Sequence, residues 1–198
     1  TGSEILDLGE IQTNDSQIRS SNHLTLEALF KSNGANTIQM GVVKDDMDSI
    51  TKLLETALLT SDIVVTTGGV SVGDYDFVQD VIKDKLKAEV LFHGVNLKPG
   101  MHILLALKDN KIIVALPGFA YSSTVCAMLY VLPLIYKFRN SNEKLPLVKA
   151  RINQDFSRFQ AKTIFTACNV EYKNGEYQIN FDGKKSGTSA ILTNMLES

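Results

Sequence analysis

The spacing of apolar positions changes along the chain and separates helices from strands. Residues 24–31 place Leu26, Leu29 and Phe30 at helical spacing and are stopped by Asn33-Gly34, which predicts a helix with a glycine-assisted end. Residues 48–59 repeat Ile50, Leu53, Leu54, Ala57 and Leu58 on one face, a second helix turned toward a core. Between these two, residues 37–43 read as a strand that ends at Lys44-Asp45-Asp46. After Ser61-Asp62 the run Ile63-Val64-Val65 is apolar without alternation and leads into Thr66-Thr67-Gly68-Gly69. Such runs suit strands covered on both faces. A third helix is expected over residues 77–86, a β-branched strand over 111–116 that ends at Pro117-Gly118, and a long helix over 120–138. Residues 91–107 predict two further strands around Lys98-Pro99-Gly100.

Strands and helices thus alternate through short Gly-rich joints. That order predicts an α/β fold, a doubly wound and mostly parallel sheet, for a domain over residues 1–140. Asn140-Ser141-Asn142-Glu143-Lys144 is polar and reads as a linker. Beyond it residues 148–152, 163–170 and 177–181 are β-like, and Lys173-Asn174-Gly175-Glu176 signals a hairpin. Residues 145–198 are therefore expected to form a small all-β domain, an incomplete barrel. Thr1-Gly2-Ser3-Glu4 has the character of a loop that follows a strand, and the β-like part stops soon after Ser186-Gly187-Thr188-Ser189. Both ends read as cut, as in a fragment of a longer enzyme.

Composition narrows the class. The 198 residues are 44% hydrophobic and 21% charged, enough to bury a core without disulfides or a structural metal. Twenty basic against 22 acidic residues, a net charge of −2, leave no broad basic field for nucleic acid or an anionic membrane, so neither is expected as a partner. Cys126 and Cys168 form no CxxC pair or Cys/His metal spacing, which fits a reduced cytoplasmic protein. The apolar stretch 125–138 is short for a bilayer span and contains Pro133, and no signal-peptide pattern opens the chain.

Ligands of open parallel sheets bind beyond the carboxyl ends of the strands. Three distinctive segments fall at such ends: Lys44-Asp45-Asp46, the loop from Gly68 to Asp76, and Leu116-Pro117-Gly118. The second contains Gly68, Gly69, Ser71 and Gly73 ahead of a helix, where freed amides and a helix N-terminus suit an anion; a tight structural turn is the plain alternative. It is neither GxxxxGK[ST] nor GxGxxG. Asp74 and Asp76 sit at the helix start as caps or metal ligands. Asp46 can cap the helix near Asp48, leaving Asp45 to face the cleft. Asp45 and Asp76 together could hold a hard cation such as Mg²⁺ with phosphate oxygens, or be solvated loop ends. Lys98 could reach an anion or only water. Gly118 followed by Ser122 and Ser123 is a second anion cradle or a simple helix cap. His93 reads as packed or surface-facing, Cys126 as inert core, and the stripe Val125, Met128, Leu129, Leu132 as core or subunit interface.

The pattern Thr1-Gly2-x-Glu4, Ser21-Asn22, Asp45-Asp46, Ser61-Asp62, Gly68-Gly69-Val70-Ser71-Val72-Gly73-Asp74-Tyr75-Asp76, Lys98-Pro99-Gly100 and Leu116-Pro117-Gly118 resembles the molybdopterin molybdenumtransferase family, which includes bacterial MoeA and the gephyrin E domain. The resemblance covers residues 1–138 and extends weakly to Ser186-Gly187-Thr188-Ser189. It implies the family's third domain and part of its fourth. It also implies insertion of molybdate into molybdopterin from adenylylated molybdopterin with release of AMP, with a divalent cation, in a homodimer. By position it makes Glu4, Asp45, Asp76 and Lys98 catalytic. Asn22, Gly68, Gly69, Ser71, Gly73, Asp74, Pro117, Gly118 and Ser122 become ligand-binding, and Asp45 and Asp76 metal-binding. The chain departs from the family's usual reading at Ser3, Gly94, Met101-His102 and Phe119-Ala120. With the other domains missing, the fragment alone is expected to be inactive or nearly so. A molybdopterin adenylyltransferase and a diverged, non-catalytic pterin-binding or scaffold module are the alternatives; Val70-Ser71-Val72-Gly73 argues against the former.

Overall fold

A computed structural model describes residues 4–7, 9–70, 77–157 and 161–184. A two-stranded parallel pair, β1 (Ile5–Leu6) and β2 (Ile18–Arg19), opens the chain. Two helices follow, α1 (Asn22–Ser32) and α2 (Met47–Thr60). The expected cap is present: the Asp46 carboxylate accepts the Ser49 amide at 2.8 Å. The Ser49 hydroxyl and then this amide bond hold the Asp46 carboxyl below its ordinary range.

The next elements build the main sheet: β3 (Ile63–Thr67), helix α3 (Phe77–Asp80) continued by a π-helical turn over Val81–Lys85, β4 (Glu89–His93), the short β5 (Leu97–Lys98), β6 (Leu104–Lys108) and β7 (Lys111–Leu116). A 19-residue helix, Ala120–Phe138, comes after them. Within it α4 (Ala120–Cys126) passes through a π-helical stretch, Ala127–Val131, into α5 (Leu132–Phe138). The four-stranded sheet has the order β3-β7-β6-β4. β3 and β7 are parallel, while β6 is antiparallel to both β7 and β4. The proportion of parallel pairing is lower than the sequence suggests because Asp109 and Asn110, both at positive φ, close β6 and β7 into a hairpin.

Both faces of the sheet are covered, as the unalternating apolar run of β3 requires. One face packs Val64, Ala106, Ile113 and Ala115 against Ile50, Leu54 and Ala57 of α2 and Val78, Val81 and Ile82 of the third helix. The other packs Val114 and Leu116 against Leu26 and Phe30 of α1 and Cys126, Val131 and Ile135 of the long helix. The buried face of that helix is Cys126, Ala127, Val131, Leu132, Ile135 and Tyr136, so the stripe expected at Val125 and Met128 is displaced and Met128 is exposed.

Residues 37–43 differ from the expectation of a strand. They carry no ladder, because no strand neighbours them among the described residues, and Gly41 among them has φ +79°. Past the helix, β8 (Ala150–Ile152), β10 (Asn169–Lys173) and β11 (Glu176–Asn180) form a three-stranded sheet in the order β10-β11-β8, and β9 (Thr163–Ile164) pairs with β5. The expected hairpin turn is there: Lys173 pairs with Glu176 across Asn174 and Gly175, both at positive φ.

Two consequences of the packing can be measured. Gly100 has φ +107°, and a Cβ on it would lie 2.3 Å from Cys126 Sγ. Gly100→Ala therefore costs about 2–4 kcal/mol, strain plus overpacking. Adding Cys126→Ala should recover at least about 1 kcal/mol of it in a double-mutant cycle read by denaturant unfolding; strict additivity would sink this account. Burial pushes the Cys126 thiol up to about 12. Between the ordinary thiol range and that value the unfolded chain ionises there and the folded one does not, so this group lowers stability as pH rises. At pH 8 iodoacetamide should label half-buried Cys168 and spare Cys126 until the protein is unfolded; early labelling of Cys126 would contradict its burial.

Candidate functional site

Parallel β3 and β7 end at the same edge, and there the chain leaves each strand through glycine. Gly68 N donates to Leu116 O at 3.0 Å, extending the ladder by one bond past β3. Gly68 and Gly69 both have positive φ, +81° and +68°, a conformation that strains any residue with a side chain. A Cβ built on Gly118 would meet Gly68 Cα at 3.6 Å, an ordinary contact, so the two glycine turns touch. Gly118 is exposed, Pro117 half-buried, and Gly118 does not need positive φ. The fold would accept alanine there; glycine instead leaves the rim open.

Other segments converge on this edge. β4 runs in the same sense as β7, being two antiparallel steps away, and ends at His93. His93 Nε2 lies 3.4 Å from Val70 O. The sequence treats His93 as packed or surface-facing; the structure puts it, exposed, at the rim, where its place at a strand end ahead of Gly94 was the available signal. Lys98 is half-buried and its backbone is tied down twice, through β5·β9 and by Phe165 N donating to Lys98 O at 2.8 Å. Pro99 and Gly100 behind it are buried against α4, with Cys126 Sγ 3.5 Å from Gly100 O. Phe119, next to Gly118 and 59% exposed, adds an aromatic ring at the same edge.

Asn22 opens α1, and its side-chain amide donates to Gly118 O at 2.7 Å. This bond anchors the start of α1 to the rim, so Asn22 positions the Gly118 turn. Glu4 is exposed and accepts Ile18 N through its backbone carbonyl at 2.9 Å, while Leu6 O accepts Ser20 N at 2.9 Å. The loop from Glu4 to Ser20 thereby sits where α1 begins. Asp45, half-buried, follows residues 37–43, which climb α1 from its end toward its start: Ala35 N bonds Phe30 O, Thr37 Oγ1 bonds Glu27, and Gln39 reaches Glu27 and the His23 carbonyl. Ser122, in the first turn of α4, is only 3% exposed. Ser71, Gly73, Asp74 and Asp76 lie outside the described residues.

The described site is thus a rim of the Gly68 and Gly118 turns, with Asn22 bonded to it and His93 and Phe119 beside it. Among the described residues no group of three His, Cys, Asp or Glu side chains could hold a metal ion. Asp45 alone does not make a divalent-cation site.

Comparison with known proteins agrees with this architecture. Residues 1–137 match the family described as "Probable molybdopterin binding domain". Molybdopterin molybdenumtransferase of Staphylococcus aureus (strain Mu50) is 36% identical over 166 residues, 83% of this chain and 39% of that protein. The protein of the same name from Staphylococcus epidermidis (strain ATCC 12228) is 35% identical over 162 residues, 80% and 38% of the two chains. The crystal structure of the molybdopterin biosynthesis MoeA protein from Pyrococcus horikoshii superposes on the whole chain with a TM-score of 0.78 at 26% identity, using 46% of its own length. The chain therefore spans less than half the length of these relatives. With residues 1–137 accounted for in this way, it belongs to the molybdopterin-binding domain family.

Proposed function

We propose that this chain carries the pterin-binding half of a molybdopterin molybdenumtransferase, which inserts molybdate into molybdopterin from adenylylated molybdopterin with release of AMP. The observation that carries the reading is the contact of the Gly68 and Gly118 turns at one rim, with Lys98 tethered beside α4. Glycine turns let an anionic ligand approach backbone amides closely, and a lysine ammonium offsets charge that grows on a phosphate during transfer. In this reading Gly68, Gly69, Pro117 and Gly118, with Ser71, Gly73 and Asp74, cradle the pterin phosphate. Glu4, Asp45 and Asp76 form the acidic side. Asn22 and Ser122 serve the cradle through the Gly118 turn and α4. Mg²⁺ belongs to the proposal through Asp45 and Asp76, with substrate oxygens completing its shell, as do a homodimer and a cytoplasmic setting. The names of the relatives support the reaction class.

The test incubates the full-length protein that contains this chain with adenylylated molybdopterin, Mg²⁺ and molybdate. Molybdate-dependent AMP release supports insertion. Tight binding without AMP release points to a binding module, and pyrophosphate release from ATP with free molybdopterin points to adenylyl transfer. Asp45→Ala and Asp76→Ala should each lower molybdate-dependent AMP release at least a hundredfold with unchanged thermal unfolding; wild-type rates in both would remove the acidic side from the mechanism.

Gly118 offers a finer test. Gly118→Ala meets only an ordinary contact, so its Tm should stay within about 2 °C of the parent, while its methyl group occupies the rim and weakens adenylylated molybdopterin binding about tenfold or more. Unchanged affinity by calorimetry would place the ligand elsewhere.

A further inference from the structure

The turn that carries Gly118 into the long helix breaks a local rule. Phe119 is the N-cap of α4, with extended backbone at φ −69° and ψ 130°, and its side chain makes no capping bond. Ser, Thr, Asn and Asp suit this position, because their oxygens accept a first-turn amide. A phenyl ring accepts nothing there. The same ring is 59% exposed, just beyond a strand whose last four residues are fully buried. One exposed phenylalanine on a surface is ordinary. One that displaces a helix cap at the edge of a candidate site is a local conflict, and such conflicts gather where function outweighs stability.

The aromatic side chain two positions on is used in the opposite way. Tyr121 is half-buried, and its hydroxyl donates to Phe165 O at 3.4 Å, which ties α4 to the segment after β9. Phe119 has no such structural duty. It belongs to neither buried cluster, and none of the ring pairs among the described residues includes it. Its backbone, however, is held on both sides. The Asn22 side-chain amide donates to Gly118 O at 2.7 Å, and Ser123 N donates to Phe119 O at 2.8 Å. A ring set on a fixed main chain, with only two side-chain torsions to settle, is a preorganised flat surface.

The rest of the rim selects what that surface receives. It consists of the Gly68, Gly69 and Gly118 turns, the Asn22 amide and the exposed His93. A lone ring among glycines and polar groups offers too little apolar area for a protein partner, whose interface covers roughly 800 Å² per side around an apolar core. It does offer a π face, which takes one flat heterocycle in an offset stack. Consecutive Cα atoms are about 3.8 Å apart, so the open Gly118 turn and the Phe119 ring address two groups of one small molecule, a phosphate and a planar ring joined to it. Adenylylated molybdopterin has two such rings, the pterin and the adenine.

We propose that Phe119 is a specificity-determining residue of this site: its exposed ring stacks on the planar heterocycle of a ligand whose phosphate lies at the Gly68 and Gly118 turns, a placement that rests on the function proposed above. The ring makes the site favour a phosphate that bears a heterocycle over a bare one.

Calorimetry on the full-length protein that contains this chain tests the role, with adenylylated molybdopterin, molybdopterin, AMP and inorganic pyrophosphate as ligands. Phe119→Ser removes the ring and supplies a capping oxygen. It should weaken adenylylated molybdopterin about tenfold, leave pyrophosphate within about twofold, and keep Tm at or above the parent's. A merely structural side chain does not pair lost affinity with undiminished stability. Phe119→Leu, which keeps apolar bulk without a π face, should fold as the parent does and lose at least about fivefold. Phe119→Trp should match or exceed the parent's affinity. These 198 residues contain no tryptophan, so the indole signal above that of the parent protein should quench saturably with adenylylated molybdopterin and stay constant with pyrophosphate. In Phe119→Ser, a loss confined to AMP identifies the stacked ring as adenine and a loss confined to molybdopterin identifies it as the pterin; either upholds the proposal. Parent-like affinity in Phe119→Ser, an equal loss for pyrophosphate, or equal losses in Phe119→Ser and Phe119→Trp would overturn it. If Gly118→Ala still weakens binding in that event, only the stacking role falls; if Gly118→Ala is silent too, the phosphate placement falls with it.

Discussion

The side-by-side, same-direction pairing of β3 and β7 is the constraint on which the rest depends. Five residue pairs in register, from Ile63 with Ile112 to Thr67 with Leu116, bring two strands to a common end although nearly 50 residues of chain separate them. Past that end a single bond, Gly68 N to Leu116 O, carries the ladder into the turns, and the turns then lie within van der Waals contact. A site made of backbone amides has no long side chains to compensate for misplacement, so its precision is that of the sheet beneath it. Ile113, Val114, Ala115 and Leu116 are all fully buried, and β7 is the best-anchored strand of the molecule. The rim inherits that rigidity.

Much of this was legible from residue spacing because the informative signals were local. The periodicity of residues 48–59 and the cap at Asp46 are intrahelical matters, and the structure reproduces both. Asn174-Gly175 fixes its hairpin by the backbone freedom of two residues. The apolar run at Ile63-Val64-Val65 announced burial on both faces, and α1 and α2 supply it from opposite sides. The motif that carries the resemblance, from Gly68 to Asp76, gave the family directly, and the comparisons agree.

What was not legible depends on pairing between distant segments. Nothing in residues 37–43 says that a strand-like sequence lacks a neighbour. Without a ladder, they are held by Thr37 and Gln39, which hydrogen-bond Glu27 on α1, and by Met40 and Val43, which pack against the core. Likewise β9 leaves the C-terminal strands to pair with β5, supported by Asn96 bonding Ala161 O and Tyr121 bonding Phe165 O. No periodicity records that. The long helix is where its spacing puts it and Leu132 of the expected stripe is buried, while the π-helical stretch Ala127–Val131 shifts the side-chain phase so that Val131 and Ile135 face inward and Met128 outward.

The two sides of the candidate site are held by different physics. The glycine side rests on β3 and β7 and their buried side chains. The segment leading to Asp45 rests on polar contacts to Glu27 and on Met40 and Val43 packed against the core. Lys31 and then Gln39 hold the Glu27 carboxyl below its ordinary range, so these contacts strengthen with its ionisation and weaken in acid. Binding a phosphate ester between an acidic and an amide-lined wall depends on the distance between them holding, and that distance is set on one side by the sheet and on the other by the packing of residues 37–43 on α1 and the core.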